Sequence, residues 1–234
     1  MFKKASEIKK PIRALIYGES GVGKTTLLGT LPPPVAIVDF EGGASVRLNY
    51  RDDIFIAEVS SKEELEQAVK EIPNLGVKSI AFDGFSVYLQ ARLEEIVKEH
   101  PGKSGGIEFK HWNRLFREAK HLILGFLRNP QAHVVFTALE KVERDEKGGV
   151  GLIRPDISRS IRRYLRGLVD LEGRLWEYEG RRILSFRTNV GKMEVKDRTG
   201  RLTAKEEPDF RKILKKIYEP LPAKVQNLQE VESK

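Results

Sequence analysis

The sequence predicts an α/β domain, a mostly parallel twisted sheet flanked by helices, with a C-terminal antiparallel hairpin extension. Three observations predict it. Short apolar runs alternate with helical patterns from residue 14 to 138, as in right-handed βαβ units. The first run, Ala14-Leu15-Ile16-Tyr17, leads directly into Gly18-Glu19-Ser20-Gly21-Val22-Gly23-Lys24-Thr25, a G-x-x-x-x-G-K-[ST] stretch set between a strand and a helix. Beyond residue 138 the alternation breaks, and Leu175–Tyr178 and Ile183–Phe186 flank the turn Glu179-Gly180-Arg181-Arg182, a hairpin pattern.

The 234 residues are enough for one sizeable α/β domain. No apolar run approaches the roughly 18 residues of a membrane span. Met1-Phe2-Lys3-Lys4 has no apolar stretch behind it, so it does not read as a secretory signal. The absence of cysteine excludes disulfides and thiolate metal sites. A cytoplasmic protein without a membrane partner is the expectation. The net charge of +8 points to an acidic partner, nucleic acid first.

Taken in order, residues 1–11 read as a polar N-terminal arm, 12–220 as the domain and 221–234 as a polar tail. The helix after the glycine loop is expected to stop at Leu31, because Pro32-Pro33-Pro34 cannot continue it. Val35-Ala36-Ile37-Val38 is a second buried strand, ending in Asp39-Phe40-Glu41-Gly42-Gly43, and Ile54–Ala57 a third. Ser61-Lys62-Glu63-Glu64 makes a capping box for a helix to about Ile72. Ser79-Ile80-Ala81-Phe82 is an apolar strand closed by Asp83 and followed by Gly84. Helices are expected over about 85–99 and 109–128, the second with Trp112, Leu115, Phe116, Ala119, Ile123 and Phe126 as a core stripe. A strand follows over 133–138. Residues 140–151, polar and rich in glycine, read as a long mobile loop. An amphipathic helix over 157–168, the hairpin, Met193-Glu194-Val195 leading into Lys196-Asp197-Arg198-Thr199-Gly200, and a helix over about 209–218 complete the chain. The four histidines show no metal-ligand spacing.

The chemistry follows from the glycine loop. Glycines let the backbone curl until successive N–H groups point at phosphate oxygens. Gly18, Glu19, Ser20, Gly21, Val22, Gly23, Lys24, Thr25 and Thr26 would cradle the phosphates of a nucleoside triphosphate, with Lys24 reaching the β- and γ-phosphates. Thr25 and Asp83 would hold Mg²⁺. No Asn-Lys-x-Asp guanine motif occurs, so ATP is expected rather than GTP. Hydrolysis needs a group to orient or deprotonate the attacking water. Gly84 closes the position directly after Asp83, and Glu41, at the end of the neighbouring strand, is the best remaining carboxylate.

A nucleic-acid face is also legible. Arg159, Arg162, Arg163 and Arg166 are spaced to share one helix face, with Ile157, Ile161, Tyr164, Leu165 and Leu168 on the other. Residues 151–201 hold 13 Lys and Arg against 7 Asp and Glu, a net of +6. Such a stripe suits backbone phosphates. A solvated face, or one pairing with acids of a neighbouring subunit, is the plainer alternative.

Tyr17–Leu27, Asp39-Phe40-Glu41-Gly42-Gly43, Trp112 in its long helix and Val195-Lys196-Asp197-Arg198-Thr199-Gly200 together resemble the minimal RecA-like ATPases of the phage Sak type. That family is classed as single-strand annealing or recombination proteins. The resemblance spans about residues 12–202 and implies a RecA-like core, DNA-stimulated ATP hydrolysis, single-stranded DNA as partner and a homo-oligomer, ring or filament, with ATP at subunit interfaces. A single-strand-binding protein is a further implied partner. In RecA-like ring and filament ATPases the Lys-x-Arg pair, here Lys196 and Arg198, reaches the γ-phosphate of the neighbouring subunit. Loops 100–108 and 140–151 match the positions of DNA-binding loops in such proteins. One departure stands out. RecA ends the strand matching 133–138 with a glutamine that senses the γ-phosphate, whereas Ala138-Leu139-Glu140 stands here, leaving Thr137 or Glu140 as substitutes. Two rival readings share the glycine loop: a small-molecule or nucleotide kinase with Arg159–Arg166 as a lid, and an ATP-dependent switch or loader for a replication protein.

Overall fold

The computed structural model describes residues 2, 4, 10–103, 105–128, 130–146, 148–187 and 192–219. Most of the expected arm and all of the 221–234 tail lie outside these residues.

Strands β1 (Arg13–Gly18), β2 (Val35–Asp39), β3 (Ile54–Glu58), β4 (Ser79–Asp83) and the first half of β5 (His133–Arg144) are parallel and stand in the order β3-β2-β4-β5-β1. On the far side of β1, β7 (Leu171–Tyr178) runs parallel to it and β8 (Arg181–Ser185) antiparallel to β7. Two further strands hang off this row. β6 (Val150–Pro155) pairs with the outer half of β5, and the two-residue β9 (Lys196–Asp197) pairs with the start of β7. The parallel strands are apolar on both faces because helices cover both. Ala14, Ile16, Val35 and Ile37 pack with α1 (Lys24–Leu28), α2 (Ala44–Leu48) and α7 (Phe210–Tyr218). Leu15, Tyr17, Val38, Phe82 and Phe136 pack with α3 (Lys62–Glu71), α4 (Phe85–Glu99), α5 (Phe109–Leu127) and α6 (Arg159–Leu168).

Insertion of β5 between β1 and β4 is the feature that builds the site. It separates the strand that opens the glycine loop from the strand that ends in Asp83, leaving a crevice at their C-terminal ends, where open α/β sheets hold ligands. In this architecture, that of a RecA-like P-loop NTPase core, Phe82 pairs with Phe136, so Asp83 and Thr137 stand side by side, and Asp39 pairs with Asp83.

Three expectations are corrected and one unanticipated helix is added. The helix after the glycine loop ends at Leu28, not Leu31. Gly29 follows, and a Cβ there would lie 2.8 Å from Leu48 Cδ2, so packing on α2 demands a weak helix former at that point. α2 itself was hidden, since only Ala44 and Leu48 mark its buried side. Residues 140–151 are not a loop. Glu140 to Arg144 pair with Pro155 to Val150 as an antiparallel hairpin, turned where the Gly149 N–H donates to Asp145 Oδ1 (2.8 Å). Backbone pairing needs no apolar side chains, and the outer half of β5, Glu140-Lys141-Val142-Glu143-Arg144, sets one apolar residue among four charged ones, a pattern that reads as a loop. Finally, Trp112 is 41 % exposed. The buried line of α5 runs through Leu115, Ala119 and Ile123, with Phe116 and Phe126 half-buried beside it.

Candidate nucleotide site

The glycine loop closes over its own lysine. Lys24 is buried, and its Nζ donates to the carbonyls of Gly18 (3.1 Å) and Glu19 (2.8 Å). Burial lowers its pKa, opposed by the charges of Glu41, Asp83 and Glu140. Gly18 is required by the strand beside it, because a Cβ there would lie 2.2 Å from the Leu175 carbonyl oxygen of β7. Gly21 and Gly23 hold φ of 76° and 103°, the left-handed region that favours glycine.

Thr25 Oγ1 donates to Asp83 Oδ2 at 2.6 Å, and Thr137 Oγ1 donates to Asp83 Oδ1 at 2.6 Å while accepting from the Gly84 N–H at 2.8 Å. Burial raises the Asp83 pKa against these two hydrogen bonds. A hydroxyl and a carboxylate side by side are hard oxygen donors that suit Mg²⁺, which is typically held by one or two carboxylates plus substrate phosphates. No cluster of three or more His, Asp or Glu among the described residues is arranged to hold a metal ion, so a cation here would rely on the phosphates it accompanies.

Asp39 and Glu41 take different parts. Asp39 is buried and accepts N–H bonds from Glu41 (3.0 Å), Gly42 (3.0 Å) and Ala44 (2.7 Å), which shapes the turn after β2. That turn carries Glu41 onto Gly84. A Cβ at Gly84 would lie 2.5 Å from Glu41 Cγ and 2.9 Å from Oε1. The carboxylate of the neighbouring strand thus fills the space that a side chain after Asp83 would occupy. Partial burial and then the Asp83 charge raise the Glu41 pKa, with Lys24 opposing.

Of the two sensor substitutes, Thr137 stands at Asp83, whereas Glu140 receives the Arg174 guanidinium of β7 (Nε to Oε2 2.9 Å, Nη2 to Oε1 3.1 Å). Lys196 and Arg198 point the same way, onto the C-terminal carbonyls of α6 in their own chain. Lys196 Nζ donates to Arg166 O (2.5 Å) and Val169 O (2.7 Å), and Arg198 Nη2 donates to Gly167 O (2.6 Å). Cations at a helix C-terminus stabilise it. They lie near the start of β7, at the opposite end of the strands from the glycine loop.

The arginine stripe divides. Arg159 and Arg163 are exposed. Arg162 and Arg166 turn inward to Glu194 (3.1 and 2.9 Å), and Arg166 Nε also lies 3.2 Å from Glu172 Oε2. Helical spacing could not reveal those acids, because they come from β7 and from the segment before β9.

Glu172 is fully buried, and neither carboxylate oxygen has a hydrogen-bond partner among the described residues. Burial pushes its carboxyl up to about 7 against the pull of Arg166. The folded state therefore keeps this proton to about pH 7, while the unfolded chain releases it near 4.5. The group's contribution to stability is full below the lower value and is lost as pH rises through the upper one. Glu172→Gln is expected to flatten the fall in melting temperature between about pH 5 and 8; an unchanged slope in thermal melts would refute this.

Two arginines join the site unannounced. Arg47 Nε donates to Thr26 Oγ1 (3.0 Å). Arg182, from the β7–β8 hairpin, lays its guanidinium against Gly23, where a Cβ would lie 3.0 Å from Nη1. The only sequence signal for Arg182 is its place just after a turn.

Fold and site together define a P-loop NTPase with a RecA-like core. Within that class the chain belongs to the AAA domain family, whose model matches residues 10–199. No curated protein sequence matches it. Among solved structures it is similar to the KaiC-like protein PH0186 of the hyperthermophilic archaeon Pyrococcus horikoshii OT3, at TM-score 0.43 and 11 % identity over 77 % of this chain and 80 % of that one. It is also similar to the assembled ATPase EscN of the enteropathogenic E. coli type III secretion system, at TM-score 0.47 and 17 % identity, over 70 % of this chain and 43 % of EscN. The flagellar accessory protein FlaH of Methanocaldococcus jannaschii follows at TM-score 0.37 and 11 % identity, over 80 % of this chain and 82 % of that one. No described helix is long and apolar enough to cross a membrane.

Proposed function

We propose that the chain is an ATPase that assembles with copies of itself, hydrolyses ATP at the contacts between subunits and binds single-stranded DNA in recombination or annealing. The observation that carries this reading is Glu41 lying against Gly84, beside Lys24 and the Thr25–Asp83 pair. The loop amides and Lys24 bind the phosphates. Thr25 and Asp83 would hold Mg²⁺, which would neutralise charge on the β- and γ-phosphate oxygens. Glu41 orients the attacking water and takes its proton. Lys196 and Arg198 serve the neighbouring subunit's γ-phosphate. The family-level part of this reading draws on the Sak-type resemblance, which also carries the single-strand-binding protein as a partner.

The deciding experiment is the ATPase rate with and without single-stranded DNA across protein concentration. Turnover per subunit that rises with concentration and with DNA supports the proposal. Turnover that needs a small acceptor and ignores both concentration and DNA favours a kinase. Slow turnover that DNA does not stimulate favours a switch or loader.

Two further outcomes are expected. Gly84→Ala puts a Cβ only 2.5 Å from Glu41 Cγ, on a residue with φ of 81°. Displacing a catalytic group by about 1 Å costs roughly 10²-fold, so turnover should fall by that order while ATP affinity stays near the parent's. Parental turnover in Gly84→Ala would detach Glu41 from the reaction. For DNA, Arg159 and Arg163 are the exposed pair of the stripe and the ones free to meet backbone phosphates. Replacing both with Ala should reduce the salt slope of DNA binding by about 1–2. Replacing Arg162 should act through stability instead, since it breaks the pair with Glu194. A salt slope that does not change in the Arg159/Arg163 double variant moves the DNA site elsewhere.

A further inference from the structure

The β7–β8 hairpin touches the glycine loop at two points. At its stem, the Leu175 carbonyl occupies the space beside Gly18, where a Cβ would be 2.2 Å from the oxygen. Near its tip, Arg182 lies along Gly23, with Nη1, Cζ and Nε at 3.0, 3.2 and 3.4 Å from a Cβ built there. Stem docking fixes the strand, and the antiparallel register that pairs Arg182 with Glu177 then sets where the guanidinium emerges. Leu175 and Leu184, buried on the same face of the hairpin, hold that face toward α1.

Arg182 has no use inside the described fold. Arg174 on the same hairpin is spent on Glu140, but Arg182 forms no hydrogen bond or ion pair with any described residue. The electrostatics of the crevice point the same way. Asp39, Asp83 and Glu41 gather at the ends of β2 and β4, and among the described residues Lys24 is the cation whose charge acts on both Glu41 and Asp83. A triphosphate entering that crevice adds further negative charge. A planar guanidinium with five donors, already parked at the loop's rim one residue before Lys24, is suited to paired phosphate oxygens.

We propose that Arg182 is a second cation of the phosphate site, donating from the β7–β8 hairpin of the same chain to the phosphate chain of the bound nucleotide. The proposal rests on the nucleotide-binding part of the function given above. It adds a residue from beyond the glycine loop, and it makes the hairpin part of the nucleotide site rather than an appendage of the sheet.

The test uses the full chain with Mg²⁺, a fluorescent ATP analogue as reporter and inorganic tripolyphosphate as competitor. Arg182→Ala should weaken both the analogue and tripolyphosphate by about 10-fold, the scale of one lost charge-assisted hydrogen bond. Arg182→Lys should recover part of that loss, because charge returns without the fork. Arg182→Ala binding both ligands like the parent chain overturns the proposal. So does weaker binding of the analogue with tripolyphosphate unchanged, which would assign Arg182 to the base or ribose. Lys24→Ala, measured alongside, separates the two levels. If Lys24→Ala abolishes binding and Arg182→Ala does not affect it, only this inference fails. If Lys24→Ala also binds ATP normally, the nucleotide-binding reading fails with it.

Discussion

Glu41→Gln is expected to lower ATP turnover by about 10²–10⁴-fold, the range of a lost general base, with nucleotide affinity close to that of the parent chain. The substitution keeps the shape of the side chain and removes its ability to accept a proton. Among the described residues, no hydrogen bond of the phosphate cradle depends on it, although its charge does support that of Lys24. Lys24 is held by the Gly18 and Glu19 carbonyls, and Asp83 by the Thr25 and Thr137 hydroxyls. The turn that presents residue 41 is built by Asp39 accepting backbone N–H groups, including that of residue 41 itself, which a Gln retains. Single-turnover hydrolysis together with equilibrium nucleotide binding separates the two effects. Parental turnover in the Gln variant would exclude Glu41 as the base, and a matched loss of binding would make its role one of nucleotide affinity.

Arg198→Ala is expected to cost about 10³-fold or more in turnover, the scale of an arginine finger. The position of Arg198 makes the prediction specific. It sits near the start of β7, whereas the glycine loop is at the far end of the neighbouring strand β1. No side-chain motion within one chain spans the sheet. An effect on hydrolysis must therefore come through a second subunit, or through folding of α6, whose terminal carbonyl at Gly167 Arg198 caps. Mixing distinguishes these. An Arg198→Ala subunit retains an intact glycine loop, and a Lys24→Ala subunit retains an intact Arg198. Together they can form one complete interface, so the mixture should recover activity that neither variant has alone. A mixture no more active than its parts, with both variants folded by melting temperature, would remove the shared site. Arg198→Lys should recover little, because a point charge does not replace the planar fork.

How much of this was legible in advance depends on whether the signal was local. Gly18–Thr25, the apolar strand before it and the Asp83–Gly84 step are contiguous chemistry, and their elements lie where the apolar runs and breakers put them. The boundaries of α4, Phe85 to Glu99, match because Gly84 and His100-Pro101-Gly102 punctuate both ends. Signals failed where pairing is made by backbone atoms, as in the β5–β6 hairpin, or where one helical stripe serves two purposes. In α6 the four arginines share a spacing, but Arg162 and Arg166 are withdrawn by Glu172 and Glu194, residues a periodicity cannot see. Trp112 is the converse, an aromatic at core spacing that emerges at the rim of α5.

The phosphate loop is where the two kinds of information meet. A curled backbone, a lysine and a hydroxyl lie within eight consecutive residues, because a phosphate cradle is made from adjacent N–H groups, and short-range stereochemistry is written residue by residue. Its completion is not local. Asp83 and Thr137 come from strands two and one places away from β1, Glu41 from a turn beyond them, and Arg182 from a hairpin on the other side. Strand order is set by which apolar faces bury against which helices, a cooperative property of the whole core, and so the partners of the loop were decided only when the sheet was assembled.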